Sequence, residues 1–313
     1  MVALLTLYFL YQVIFTAPDA LLTWQGILAT ARQSAYRPLL LVSALLIPVN
    51  WGLEAWKWKL LGQKLEQISF LRAFRAVMVG LTLGFITPNR LGDYAGRVLE
   101  LKSKARLEAI GAVFIGRFCQ LVATVLVGSF GLLYFLQKFY GQEYPAILLS
   151  LVFLLLVLNV AMLLLLFNAR AMVALVAAIG PLRGLVKYLA IMSSYTFREM
   201  YRVLLLSLAR YVVFLLQFVL LLILFEVRLS PLEYLSGVSA TFFLKSVVPS
   251  VSLLSDLGVR ELSAMYLFGL LGQERLQVLS ASLSLWLLNI VVPSAVGLFF
   301  VLRLRLSRKG GTS

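Results

Sequence analysis

Stretches of about twenty apolar residues, separated by short polar segments, limit this chain to few kinds of fold. A helix needs about 20 such residues to cross the hydrocarbon core of a bilayer. The chain of 313 residues is 62% hydrophobic and only 13% charged, whereas an ordinary soluble domain is about 45–50% apolar and about 25% charged. The apolar stretches are continuous rather than alternating, which excludes a transmembrane β-barrel. The sequence therefore predicts an all-α, polytopic membrane protein.

About six segments are long and apolar enough to be full membrane spans. They cover approximately residues 1–16, 37–61, 106–136, 145–168, 203–226 and 276–302. The first segment has no basic leader and no small-residue cleavage site, so we interpret it as a span rather than a signal peptide. Because no long polar stretch separates the spans, we expect a single integral membrane domain over residues 1–313 without a soluble catalytic domain.

Two further apolar segments, 70–104 and 231–272, are interrupted in the middle. Neither half of either segment is long enough to cross the bilayer comfortably. Each is therefore predicted to be a re-entrant helical hairpin whose broken tip lies at membrane depth, where such backbone must be buried in protein or line a wet cavity. The predicted helix-breaking residues are Pro88 and Gly92 in the first segment and Pro249 and Gly258 in the second.

Both interrupted segments carry the pattern Asp-x-x-x-Arg, as Asp93 with Arg97 and Asp256 with Arg260. A charge in hydrocarbon costs several kcal/mol and is rarely kept without a use. A broken helix repeated in two halves indicates a transporter-type binding site. The alternative is structural, because an Asp and an Arg four residues apart on a helix can simply neutralise each other.

The charges near the two tips are the candidate binding residues. A helix begins after each break, and its free N–H groups together with planar guanidinium groups suit a phosphate. The acidic side chains have three open roles: they orient those guanidinium groups, pair with an amine headgroup, or carry a coupling proton. Arg117, a third of the way into its span, is predicted to face the same cavity. The predicted substrate-binding residues are Arg90, Asp93, Arg97, Arg117, Asp256, Arg260 and Glu261.

Other polar residues in the apolar segments have simpler interpretations. An interfacial aromatic belt with snorkelling lysines, rather than a substrate site, is predicted for Trp51, Trp56, Trp58, Lys57 and Lys59. Pairing, snorkelling and a cavity position remain open for Glu54, Arg210 and Lys245. Interhelical hydrogen bonds are predicted for Gln217 and Asn289.

Several kinds of chemistry are excluded or not expected. The chain has no His, the commonest general base and metal ligand, so His-dependent membrane phosphatases and metalloproteases are excluded. Its one Cys, Cys119, lies in an apolar span and is predicted to be a core residue. We expect no metal site, no cofactor and no enzyme activity. A membrane-embedded lipid-headgroup transferase with Asp93 or Asp256 as its base remains an alternative.

The 28 Lys and Arg residues, against 13 acidic residues, predict the topology. They are concentrated in the connections 57–75, 90–106 and 168–202 and in the tail 303–309, which the positive-inside rule places in the cytoplasm together with both termini. Within the third connection, residues 169–200 predict an amphipathic helix on the inner leaflet. Basic residues scattered between spans argue against a nucleic-acid partner.

With this topology the first hairpin enters from the cytoplasm and the second from the outside. Residues 37–136 and 203–302 then form two repeats of inverted topology, each a span, a hairpin and a span. We expect the tips of the two hairpins to approach each other near the midplane of the membrane.

Several of these motifs resemble the membrane domain of lysylphosphatidylglycerol synthases. The resemblance rests on Pro-x-x-x-Gly-Asp-x-x-x-Arg over 88–97, Gly-Val-Arg-Glu over 258–261, Trp-x-Trp-Lys over 56–59, and Pro293 with Gly297 in the last span. It departs from the family in the serines and two extra residues after Pro249, and in Gly116 preceding Arg117 where the family often has Glu-Arg. The resemblance implies a flippase-like domain that moves a lipid between leaflets. The soluble domain that attaches lysine in the full synthases has no counterpart here, so aminoacyl transfer is not implied.

The predicted function is a flippase of the inner cell membrane that works by alternating access of a polar cavity between the two repeats. Its predicted partner is a membrane lipid with an anionic, phosphate-bearing headgroup, either a phospholipid or a polyprenyl-linked lipid. The sequence leaves open which lipid is moved, what drives the movement and whether the chain forms a homodimer. A non-transporting subunit that supports a lipid- or glycan-modifying enzyme is the other alternative.

Overall fold

The computed structural model describes residues 36–85, 87, 90–101, 106–248 and 258–309, and their regular structure is helical. In chain order the helices are α1 (Arg37–Gly62), α2 (Phe70–Phe85), α3 (Leu91–Leu99), α4 (Ala109–Tyr140), α5 (Pro145–Phe167), α6 (Ala169–Ala178), α7 (Phe197–Leu224), α8 (Pro231–Val247), α9 (Val259–Leu270), α10 (Arg275–Trp286) and α11 (Val292–Lys309). Short 3₁₀ and α-helical turns over 180–194 join α6 to α7, and a π-helical segment, Leu287–Val291, joins α10 to α11.

Five helical segments in the described part of the chain are long and apolar enough to cross a membrane: α1, α4, α5, α7 and Arg275–Leu302. These segments confirm the all-α, multi-pass membrane class and match five of the predicted spans within a few residues. The predicted span 1–16 lies outside the described residues. The largest shift is at α7, which begins at Phe197 rather than 203. Thr196 and Glu199 exchange hydrogen bonds there, and this capping box stabilises a polar first turn.

The chain divides into two compact units. Unit 1 comprises the described parts of Met1–Val49, Thr124–Leu155 and Val212–Asn289. Unit 2 comprises those of Asn50–Ala123, Leu156–Tyr211 and Ile290–Ser313. The helices of the two interrupted segments lie in different units: α8 and α9 lie in unit 1, and α2 and α3 lie in unit 2.

In unit 2, α2 and α3 pack closely because glycines line their contact. A Cβ atom at Gly92 would lie 2.2 Å from the backbone of Leu83, and one at Gly96 would lie 2.4 Å from the Cα of Gly80. Such small residues four apart let helix backbones approach within a membrane. Helix α2 has 16 residues and α3 has 9, so at about 1.5 Å per residue both are shorter than the hydrocarbon core, about 30 Å thick.

In unit 1, α8 and α9 pack against each other, and α9 also packs against α10. The residue before α9, Gly258, has φ 119°, a backbone conformation that side chains other than glycine rarely adopt. The carboxylate of Glu261 accepts a hydrogen bond of 2.8 Å from the N–H of Gly258, which satisfies one of the free donors at the start of α9.

A buried charge network as the candidate functional site

Glu54 of α1 forms the first centre of a charge network in unit 2. Its carboxylate lies 2.7 Å from the Nζ of Lys57, 2.8 Å from a guanidinium nitrogen of Arg97 and 3.0 Å from one of Arg210. Glu54 and Lys57 share a face of α1 because they are three residues apart, while the two arginines come from α3 and α7. One carboxylate therefore holds three helices together.

Asp93, in the first turn of α3, forms the second centre. It accepts hydrogen bonds from the Nε of Arg97 at 3.0 Å and from the Nη2 of Arg117 at 2.8 Å. The pair of Asp93 and Arg97 is the intrahelical ion pair that the spacing allows. It is not self-contained, because Arg97 also reaches Glu54 and Asp93 also holds Arg117 of α4.

The network carries unequal numbers of positive and negative charges. Four basic side chains, Lys57, Arg97, Arg117 and Arg210, are bonded to the two carboxylates. Among the described residues that these ion pairs connect, basic side chains therefore outnumber carboxylates. Arg117 is 34% exposed, whereas the side chains of Lys57 and Arg97 are 2% and 5% exposed, so Arg117 forms the accessible edge of the network.

Aromatic rings pack against three of the guanidinium groups. The ring centroids of Trp51, Trp58 and Tyr94 lie 5.0 Å from Arg210, 5.5 Å from Arg97 and 4.7 Å from Arg117, respectively. These distances are in the range of cation–π contacts, which strengthen when water is excluded. Each of these three arginines therefore contacts both a carboxylate and an aromatic ring.

In the second predicted cluster, in unit 1, the two described charges, Arg260 and Glu261, pair with each other. The Nε of Arg260 donates to the carboxylate of Glu261 at 3.1 Å and to the hydroxyl of Ser282 at 3.0 Å, and its Nη2 donates to the carbonyl of Ser282. Arg260 is 6% exposed and Glu261 is fully buried. This cluster locks α9 onto α10 and presents little surface to a ligand.

The model of the lysylphosphatidylglycerol synthase TM region family matches residues 3–297 of the chain. The chain belongs to this family. The resemblance inferred from its short motifs is therefore confirmed. No curated protein and no solved structure matches the chain.

In this member of the lysylphosphatidylglycerol synthase TM region family, the predicted binding residues fall into two groups. Arg90, Asp93, Arg97 and Arg117 lie together, since the carbonyl of Arg90 accepts a hydrogen bond of 3.2 Å from Arg117. Arg260 and Glu261 lie in the other cluster. The remaining predicted site residues, Pro88, Pro249 and Asp256, lie outside the described residues. Gly92 lies within the first turn of α3, where it packs against Leu83.

The prediction of an interfacial belt at the end of α1 is wrong for three of its members. Lys57, Trp51 and Trp58 are 2%, 5% and 0% exposed, because distant helices supply the partners that surround them. Trp56 is 51% exposed with the Nζ of Lys59 5.7 Å from its ring, as expected of a belt. The spacing of Trp51, Glu54 and Trp58, which share one helix face with an acid among them, is the signal that could have identified the site.

Other observations limit the chemistry of the described residues. Within this part of the chain, no group of three or more His, Cys, Asp or Glu side chains is placed to hold a metal ion. Cys119 is fully buried, which confirms its prediction as a core residue. The side-chain amide of Asn289 donates to Gln217 at 3.1 Å, which confirms the predicted interhelical hydrogen bond.

Proposed function

We propose that this protein is a flippase that moves a lipid with a phosphate-bearing headgroup between the leaflets of the cell membrane and performs no chemistry on it. The observation that carries the proposal is the ion-pair network of unit 2, whose partly exposed edge is the guanidinium of Arg117, in a protein built from apolar spans. Ionisable side chains within membrane segments are rarely kept without a use. A headgroup phosphate would bind this guanidinium while the lipid tails remain in the bilayer.

Arg117 is the residue that would contact the headgroup first. Its guanidinium is partly exposed, is held by Asp93 and the carbonyl of Arg90, and lies over Tyr94. A planar guanidinium fixed in this way suits bidentate recognition of a phosphate.

Alternating access between two inverted repeats is the proposed mechanism, and equivalent contacts in the two repeats support it. Gly131 lies 22 residues after Ala109, the start of α4, and Gly297 lies 22 residues after Arg275, the start of α10. A Cβ atom at Gly131 would lie 2.1 Å from Ser239 of α8, and one at Gly297 would lie 2.3 Å from the carbonyl of Met78 of α2. Ser239 and Met78 are each 8 residues after the start of their helix.

Residues around the two helix breaks also correspond in position when they are counted from the starts of α3 and α9. Arg90 precedes α3 with φ 56° and Gly258 precedes α9 with φ 119°. Asp93 and Glu261 are each the third residue of their helix. By this count Glu261, rather than Asp256, corresponds to Asp93.

We propose that each hairpin is re-entrant, that the first opens to the cytoplasm and the second to the outside, and that both chain termini are cytoplasmic.

A non-transporting subunit that positions a lipid- or glycan-modifying enzyme is the second candidate function. The buried pair of Arg260 and Glu261 favours it, because these two charges satisfy each other without a ligand. The partly exposed Arg117 at the edge of the unit 2 network favours the flippase.

Movement of a fluorescent phospholipid between leaflets of proteoliposomes tests the proposal. Arg117→Gln and Arg97→Gln keep polarity but remove one charge-assisted contact, which is worth about 1.5–3 kcal/mol, so we expect transport to fall roughly ten- to a hundred-fold. Arg202→Gln, at an exposed position of α7, is the control and should transport normally. If well-folded Arg117 and Arg97 variants move lipid at the wild-type rate, the network is structural and the proposal is wrong.

A further inference from the structure

The segment between two membrane spans, residues 168–202, begins and ends at one place. This segment, the connector, follows α5 directly and contains α6, the short turns after α6 and the beginning of α7. The ring centroids of Phe167, the last residue of α5, and Phe197, the first residue of α7, lie 4.5 Å apart. Both helices are long and apolar enough to cross a membrane. The connector therefore adjoins the membrane surface at which these two helix ends meet.

The first helix of the connector, α6, is separate from α5 because Asn168 ends one helix and caps the next. The backbone of Asn168 is extended, with φ −122° and ψ 90°. Its side-chain oxygen accepts a hydrogen bond of 3.1 Å from the N–H of Ala171, and Asn is among the preferred residues for such a cap. The chain thus leaves the span at residue 168 and starts a new helix there.

Buried residues hold the connector on the rest of unit 2. Met172 and Val176, four positions apart on α6, are 2% and 4% exposed, so one face of this helix is turned inwards. The hydroxyl of Tyr195 donates a hydrogen bond of 2.7 Å to the carbonyl of Leu61 near the end of α1. The inward face of α6 is thus occupied by protein, and the side chains exposed on the connector are the ones available to a partner.

The exposed side chains of the connector are strongly basic. Residues 168–202 contain five basic residues and one acidic residue, Glu199, whose carboxylate lies 2.8 Å from the Nζ of Lys64. Leu175 and Ile179 of α6 are 45% and 43% exposed. The five basic residues are all exposed: Arg170, Arg183, Lys187, Arg198 and Arg202. Basic side chains interspersed with exposed apolar ones are typical of surfaces that bind anionic membranes.

The bilayer itself is the partner that fits this surface. Anionic headgroups complement the five basic side chains, and they are immediate neighbours of a segment whose two ends adjoin the membrane. The exposed apolar side chains Leu175, Ile179 and Phe197, the last of them 69% exposed, suit the boundary between headgroups and acyl chains. A soluble acidic partner would leave these three side chains in water.

We infer that the connector is a docking surface for anionic phospholipids of the leaflet that it adjoins, separate from the buried network of unit 2. The five basic residues are not members of that network. The inference goes beyond the proposed function and does not depend on it, because the connector can bind lipids whether or not the protein moves them.

Photocross-linking in proteoliposomes of phosphatidylglycerol and phosphatidylcholine tests the inference. Analogues of the two lipids with a photoreactive group near the headgroup are used separately, and labelled peptides are identified by mass spectrometry. The reference peptides contain Arg228 and Arg275, two exposed basic residues of unit 1 with glutamates at 226 and 274 beside them. We expect the ratio of phosphatidylglycerol to phosphatidylcholine labelling to be higher in the connector by roughly five-fold or more, the effect of one basic residue near an anionic surface. Equal ratios in the two regions would overturn the inference.

A matched pair of double variants tests the basic residues themselves. Lys187→Gln with Arg198→Gln removes two positive charges from the connector and should lower its labelling ratio by roughly five-fold or more. Arg228→Gln with Arg275→Gln removes the same charge from unit 1 and should leave that ratio unchanged. If the first double variant does not fold, Arg170→Gln with Arg202→Gln makes the same change at two other exposed positions. A folded connector variant that keeps the wild-type ratio contradicts the inference.

Ionic strength provides a second measurement on the unmodified chain. Salt screens exposed charges, and the screening length falls from about 10 Å at 0.1 M to about 3 Å at 1 M. The labelling ratio of the connector should therefore fall towards that of the reference peptides at high salt. A preference for phosphatidylglycerol that is the same at both salt concentrations would show that charge does not cause it, and the inference would be wrong.

Discussion

Asp93 joins two arginines of different helices, and this makes it the most informative single residue of the network. Asp93→Asn keeps the shape of the side chain but removes the charge that faces Arg97 and Arg117. Removing one partner of a buried ion pair costs about 3–5 kcal/mol. We expect the free energy of unfolding to fall by about 3 kcal/mol, because Arg97 retains Glu54 and Arg117 is partly exposed.

Unfolding of the purified protein in detergent, by heat or denaturant, measures this loss. Lys138→Met removes an ion pair at an exposed position and should unfold like the wild type. An Asp93→Asn variant as stable as Lys138→Met would show that the network contributes little to folding, and that its arginines are held mainly by packing.

Single residues also show where the sequence is ambiguous. A lysine and several tryptophans at the end of an apolar span form the same pattern whether the span ends at the interface or enters a protein core. Lys57 is buried because Glu54 and Gln120 accept from it, and Gln120 comes from a helix 63 positions further along the chain. Spacing within α1 cannot reveal such a partner, whereas Asp93 and Arg97 could be paired from the sequence because both lie on one helix.

At the scale of elements, the close contact of α2 and α3 depends on glycine. A side chain at Gly92 would meet the backbone of Leu83 at 2.2 Å, and backbone cannot rotate away as a side chain can. We expect Gly92→Ala to push α3 off α2, to destabilise the protein by about 1–3 kcal/mol or more, and to displace Asp93 from Arg117. The measurements are thermal unfolding and lipid movement.

Gly52→Ala is the matched control for this substitution. Gly52 lies within α1 in the same unit, and a Cβ atom there meets nothing within 4 Å. Alanine favours helices by up to about 1 kcal/mol over glycine, so Gly52→Ala should be neutral or slightly stabilising. If the two variants behave alike, the packed pair of α2 and α3 tolerates a wider spacing than its backbone contacts indicate.

Some properties of the helices could be predicted from the sequence, and others could not. The bounds of the long apolar helices followed from hydropathy, since this property acts locally. The packing role of Gly92 did not, because a glycine near a proline resembles a helix break until the neighbouring helix is known. The pairing of Arg260 with Glu261 and Ser282 likewise depends on α10, which is remote in sequence from α9.

For the whole molecule, the prediction with the widest consequences is the membrane topology. Lys138 lies at the end of α4 and Arg183 lies in the connection before α7, with α5 as the single long apolar helix between them. The positive-inside rule places Arg183 in the cytoplasm and Lys138 outside. Inverted repeats require this arrangement. Two hairpins that enter the membrane from opposite sides must be separated along the chain by an odd number of membrane crossings.

Single cysteines at these two positions test the topology directly. We expect an impermeant maleimide to label Lys138→Cys in right-side-out vesicles and Arg183→Cys only in inside-out vesicles. The native Cys119 is fully buried and should stay unlabelled, and a Cys119→Ala background removes it altogether. Labelling of both cysteines from the same side would contradict the inverted repeats and, with them, alternating access between two equivalent halves.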